Sequence, residues 1–94
     1  MNEISSGVIA LVDPAVKDAV LTMLDATLVE KGHVQTFELS PDSADGKSVQ
    51  RIIQFQDKPP YRHGLIVYCD QPVDETLIAI IEKGTVKLML VNEV

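Results

Sequence analysis

The residues best suited to covalent or metal chemistry are one cysteine, Cys69, and two histidines, His33 and His63. Cys69 is followed by Asp70 at the end of an apolar run, just ahead of an apparent helix start. Open α/β sheets place active sites at such points, and a helix dipole there lowers a thiol pKa. A nucleophile also needs a general base and a cradle for developing charge. No Cys-x5-Arg loop and no glycine-rich turn follows Cys69, so the plainer reading is a buried core cysteine. Structural zinc usually takes close ligand pairs. His33, His63, Cys69 and Asp70 offer only one adjacent pair, and the histidines stand far apart in the chain. No catalytic residue, metal or cofactor is therefore expected.

Phosphate chemistry has no foothold in the motifs. Gly7, Gly32, Gly46, Gly64 and Gly84 are isolated, with no Gly-x4-Gly-Lys and no Gly-x-Gly-x-x-Gly. Asp13, Asp70, Asp74 and Glu75 might pass for catalytic carboxylates, but each suits a helix cap or first turn. Asp18, Asp25, Asp74, Glu75 and Glu82 are too sparse for a nucleic-acid-mimicking face.

One segment stands apart. Lys47, Arg51, Lys58, Arg62 and His63 lie close together, with Asp57 as the one acid among them and Tyr61 beside Pro59-Pro60. Tyr and Arg are common interface anchors, and a proline-stiffened loop loses little entropy on binding. These residues, with Tyr61, form a candidate partner-binding loop facing an acidic surface or a small anion. An ordinary solvated hairpin is the competing reading.

The elements that must position these residues follow from periodicity. Val8–Val12 is a continuous apolar run of strand length. Asp13-Pro14 then caps a helix whose Val16, Ala19, Val20, Met23, Leu24 and Leu28 form one stripe. Glu30-Lys31-Gly32 would close that helix. His33–Leu39 alternates as a strand, with Phe37 and Leu39 on one face. Val49–Phe55 alternates too, Val49, Arg51, Ile53 and Phe55 against Gln50, Ile52 and Gln54, and reads as a strand with one well-covered face. Leu65–Cys69 is a strand. Asp70-Gln71-Pro72 starts a second helix through Val73, Leu77, Ile78, Ile80 and Ile81, ended by Glu82-Lys83-Gly84. Thr85–Val91 is the last strand.

The two ends echo each other, each running strand, Asp and Pro, helix, Glu-Lys-Gly, strand. Two βαβ units joined by a hairpin give an α+β two-layer sandwich of ferredoxin-like βαββαβ pattern, with room for an extra strand. A small three-layer α/β sheet is the alternative. In the two-layer form, both helices sit on one sheet face. Strands apolar at both parities then leave Ile9, Leu11, Ile66, Tyr68, Met89 and Val91 on an uncovered face. Such patches mark interfaces, so a second copy or a partner protein is expected there.

Composition narrows the classes. The chain has 94 residues, room for a single domain over 1–94, and is 46% hydrophobic with few aromatics. Its formal charge of −6 disfavours a phosphate backbone, so no nucleic-acid partner is expected. With one cysteine, no signal peptide and no apolar stretch long enough to span a bilayer, a cytoplasmic location away from membranes is expected. The favoured function is a non-catalytic protein-interaction domain, a small acidic regulator, inhibitor or immunity-type protein that pairs with itself. A small-ligand-sensing regulatory domain and a small enzyme using Cys69 or His63 are the alternatives.

Overall fold

Ser5 decides the first element. Its hydroxyl accepts a hydrogen bond from the Val8 N–H at 3.2 Å, which caps a short helix over Ser6–Leu11 where a strand was expected. The computed structural model describes residues 2–26, 33–57 and 59–94. The chain opens with β1 (Asn2–Ile4), followed by α1 (Ser6–Leu11) and α2 (Pro14–Asp25). Five strands come next: β2 (Val34–Ala44), β3 (Lys47–Gln56), β4 (Tyr61–Tyr68), β5 (Glu75–Glu82) and β6 (Thr85–Leu90). A 3-10 turn, Val91–Glu93, follows β6.

All strands share one mixed sheet in the order β1-β6-β5-β2-β3-β4. β1 runs parallel to β6, and the other neighbours are antiparallel. Among the described residues, 53% are in strands and 24% are helical. This overturns the ferredoxin-like α+β sandwich and, with it, the three-layer alternative. No βαβ unit forms. The Val8–Val12 run is α1 and its C-cap. The expected second helix is β5.

The reason for the second error lies in the turn. Lys83 and Gly84 have φ of +46° and +81°, the paired left-handed conformation of a type I′ hairpin turn. Glycine suits that position as well as it suits a helix C-cap. Thr76, Ile78, Ile80 and Ile81 are β-branched, and strand geometry accommodates them better than a helix does. Asp45-Gly46 makes the same turn between β2 and β3, with φ of +54° and +75°.

The α2 helix begins where expected, with the Asp13 carboxylate accepting from the Ala15 N–H at 2.8 Å. It ends at Asp25. The expected continuation through Leu28 to the Glu30-Lys31-Gly32 cap lies outside the described residues. Val16, Val20, Met23 and Leu24 of α2 and Val8 of α1 pack over one sheet face, on Phe37, Leu39, Ile52, Leu77, Ala79, Leu88 and Leu90.

That face also buries four glutamines: Gln35, Gln50, Gln54 and Gln56. On β3 the covered side is that of Gln50, Ile52 and Gln54, with Gln54 fully buried while Ile53 and Phe55 are only half-buried. The amides bond to one another and to the backbone, as most buried polar groups do. Gln35 donates to Gln56, Gln54 donates to Gln35 at 3.3 Å, and Gln56 donates to the Pro59 carbonyl at 2.8 Å. Gln50 donates to the carbonyls of Ser40 and Val73 and accepts from the Val73 N–H at 2.9 Å. It ties the β4–β5 connection back to the hairpin.

The last turn is fastened to the first helix. The Glu93 carboxylate accepts from Ser5 Oγ at 2.6 Å, the Leu90 N–H at 2.8 Å and the Gly7 N–H at 3.3 Å. A Cβ at Gly7 would stand 2.7 Å from that carboxylate, so the close approach needs glycine.

Candidate functional site

Cys69 follows β4 directly, and its N–H donates to the Ser48 carbonyl at 3.2 Å. The side chain is buried, in the core cluster. It borders a cleft of about 660 Å³ whose lining also includes Asp13, Lys47, Tyr68 and Asp70. The helix beside this cleft is α2, not the expected one after Asp70. Asp13 is engaged as the α2 cap, and the Lys47 ammonium lies 5.6 Å from the Tyr68 ring centre, within cation–π range.

Neither histidine lines the cleft. His33 precedes β2, with Nδ1 3.0 Å from the Ile81 carbonyl and Nε2 3.5 Å from Glu82. His63 is exposed on β4. Among the described residues, no group of three or more His, Cys, Asp or Glu side chains is arranged to hold a metal ion.

The basic segment does not make one loop. Lys47 opens β3 and Tyr61 opens β4 at the opposite end of the hairpin, roughly 30 Å away at the rise of a strand. Arg51 pairs with Asp42 at 3.3 Å on the exposed sheet surface. Tyr61, Arg62 and His63 remain together, as the first residues of β4. Lys58 lies outside the described residues.

The expected apolar face is divided similarly. Ile66 and Tyr68 of β4 and Met89 of β6 do project from the sheet face away from the helices, as their register opposite Arg51, Val49 and Ile78 requires. Ile9 and Leu11 instead belong to α1, where both are exposed, and Val91 is exposed in the 3-10 turn. The uncovered sheet face gains Val34, Ile53, Phe55, Ile78 and Ile80, which the expected arrangement did not assign to it. Ile66 is 52% exposed and Tyr68 61%. Leu65, on the helix side of the same strand, is also exposed. β4 is therefore open on both faces as well as along its edge.

No helix among the described residues is long and apolar enough to cross a membrane. The chain matches no protein-family model and no curated protein. Its structure is similar to the crystal structure of a protein of unknown function from Enterococcus faecalis. The TM-score is 0.76 at 15% sequence identity, over 99% of this chain and 89% of that one. At that identity the likeness concerns the fold alone.

Proposed function

We propose that this protein is a non-catalytic protein-interaction module, a small regulator or inhibitor that forms a homodimer and offers the apolar surface of its sheet to a partner. The observation that carries this reading is the uncovered face. Ile53, Phe55, Ile66, Tyr68, Ile78, Ile80 and Met89 share it, with α1 and α2 packed on the other side. Contiguous exposed apolar surface of this kind favours association. Arg51, Arg62, Lys87 and, on the central strand β2, Glu38 lie among these residues by register, giving the mixture of apolar and charged residues usual in contact surfaces. Mass-resolved light scattering at tens of micromolar should give twice the mass of the chain. A monomer mass across that range would remove the homodimer from the reading.

A second reading rests on the cleft. Lys47, Tyr68, Asp13 and Asp70 all line it and could hold a small polar ligand, and the protein would then be a ligand-sensing domain. A thermal-shift screen with small metabolites tests this, since binding to the native state raises the melting temperature. Loss of a shift on Lys47→Ala would assign it to the cleft.

A further inference from the structure

We infer that the second copy pairs along the free edge of β4, antiparallel, with Leu65 on the twofold axis. The inference rests on the proposal that the chain self-associates, and it specifies where.

The edge presents a definite set of backbone groups. The bond from the Cys69 N–H to the Ser48 carbonyl makes Ser48–Cys69 a hydrogen-bonded pair of the β3–β4 ladder. Such pairs alternate along an antiparallel ladder. With the observed register, Tyr61, His63, Leu65 and Val67 turn their backbone groups toward β3. Arg62, Gly64, Ile66 and Tyr68 turn theirs outward, where no strand follows.

These four residues are symmetric about Leu65. An antiparallel copy centred there places Arg62 opposite Tyr68 of the second copy and Gly64 opposite Ile66, and each opposed pair exchanges both backbone bonds. A shift by two residues in either direction leaves an end residue without a strand partner. Pro60, which would meet Tyr68 in one such shift, has no N–H to give.

The side chains agree with this register. Gly64 lies in a shallow hollow lined by Arg51, Ile53, Leu65 and Ile66, and the incoming Ile66 would stand over it. Arg62 would meet the exposed ring of Tyr68, toward the end that carries the exposed acid Asp70. Like charges are kept apart, because the two Arg62 residues lie at opposite ends of the pairing. Leu65 would meet Leu65 on the helix side. An exposed edge of this length, uncharged from Gly64 to Tyr68, is one that a monomeric protein would ordinarily block with lysine or proline.

The register gives a specific test. Opposed residues of a non-hydrogen-bonded pair stand about 4.5 Å apart at Cα, within disulfide reach. Leu65→Cys should therefore form a covalent dimer under copper-phenanthroline oxidation. Ile66→Cys, whose symmetry mate is displaced along the strand, should link far more slowly, and the buried native Cys69 should not link. Leu65→Lys sets two ammonium groups face to face and should weaken the dimer about tenfold or more by light scattering. Far-UV circular dichroism checks its fold, and the cysteine result decides if that variant misfolds. A dimeric wild type, with Leu65→Cys failing to link and Leu65→Lys still dimeric, would overturn edge pairing while leaving self-association intact. A monomeric wild type would overturn both.

Discussion

Glu93 is fully exposed, yet its carboxylate gathers donors from three other residues. The Ser5 hydroxyl, then the Leu90 N–H, hold its pKa below the ordinary value of 4.5; desolvation opposes them, and the Gly7 N–H adds a smaller lowering. Because the folded-state pKa is depressed, the bond contributes stability above the unfolded value and loses it as pH falls through the folded one. Wild type should therefore lose more melting temperature between pH 6 and pH 3 than Glu93→Gln does. Parallel curves for the two proteins would contradict this. Gly7→Ala should displace the same carboxylate, so its destabilisation and that of Glu93→Ala should be strongly non-additive in a double-mutant cycle. The glutamines show the limit of residue-level reading. Gln50, Gln54 and Gln56 alternate with Ile53 and Phe55, and polarity alone sends the amides outward. Their burial depends on carbonyls and amides brought from β2 and the β4–β5 connection, partners that no local pattern reveals.

Those partners make Gln50 a structural clamp between elements. Gln50→Ala leaves the carbonyls of Ser40 and Val73 and the Val73 N–H without this amide. It should cost about 2–4 kcal/mol in urea denaturation. Gly84→Ala, at φ of +81°, should cost about 1 kcal/mol by loss of the favoured turn. The strands β2, β3, β4 and β6 were legible as alternating or apolar runs, and the start of α2 was legible from Asp13-Pro14. The two elements misread share a cause. Val8–Val12 is too short for periodicity to separate strand from helix, and the Ser5 cap settles it. Lys83-Gly84 serves equally as helix end or hairpin, and only pairing with β6 settles that. Once these two elements changed type, the apparent internal repeat lost its meaning.

At the scale of the molecule, the helices protect one sheet face and leave the other exposed together with the β4 edge. Edge pairing would join two six-stranded sheets into one twisted surface, with both helix pairs on the same side. The uncovered faces would then run together as a single platform for a larger partner. Met89→Lys, on β6 away from that edge, should leave the dimer mass unchanged while weakening any partner bound to the platform. A loss of dimer mass in this variant would place the self-contact on the face instead. The open face was expected beneath two helices, yet the second of them is β5 and the Val8–Val12 strand is α1 and its cap. Its membership differs accordingly, since Ile9 and Leu11 left the sheet when α1 formed and Ile78 and Ile80 joined it when β5 did.

The Ser5–Glu93 bond also acts as a latch between segments 88 positions apart in sequence. β1 is an edge strand, held to the sheet beside β6, so loosening the latch should open it before the strands at the centre. Amide hydrogen exchange at Ser5, whose N–H donates to the Leu88 carbonyl, should therefore quicken in Glu93→Ala while exchange in β2 stays slow. Equal protection of Ser5 in the two proteins would count against the latch.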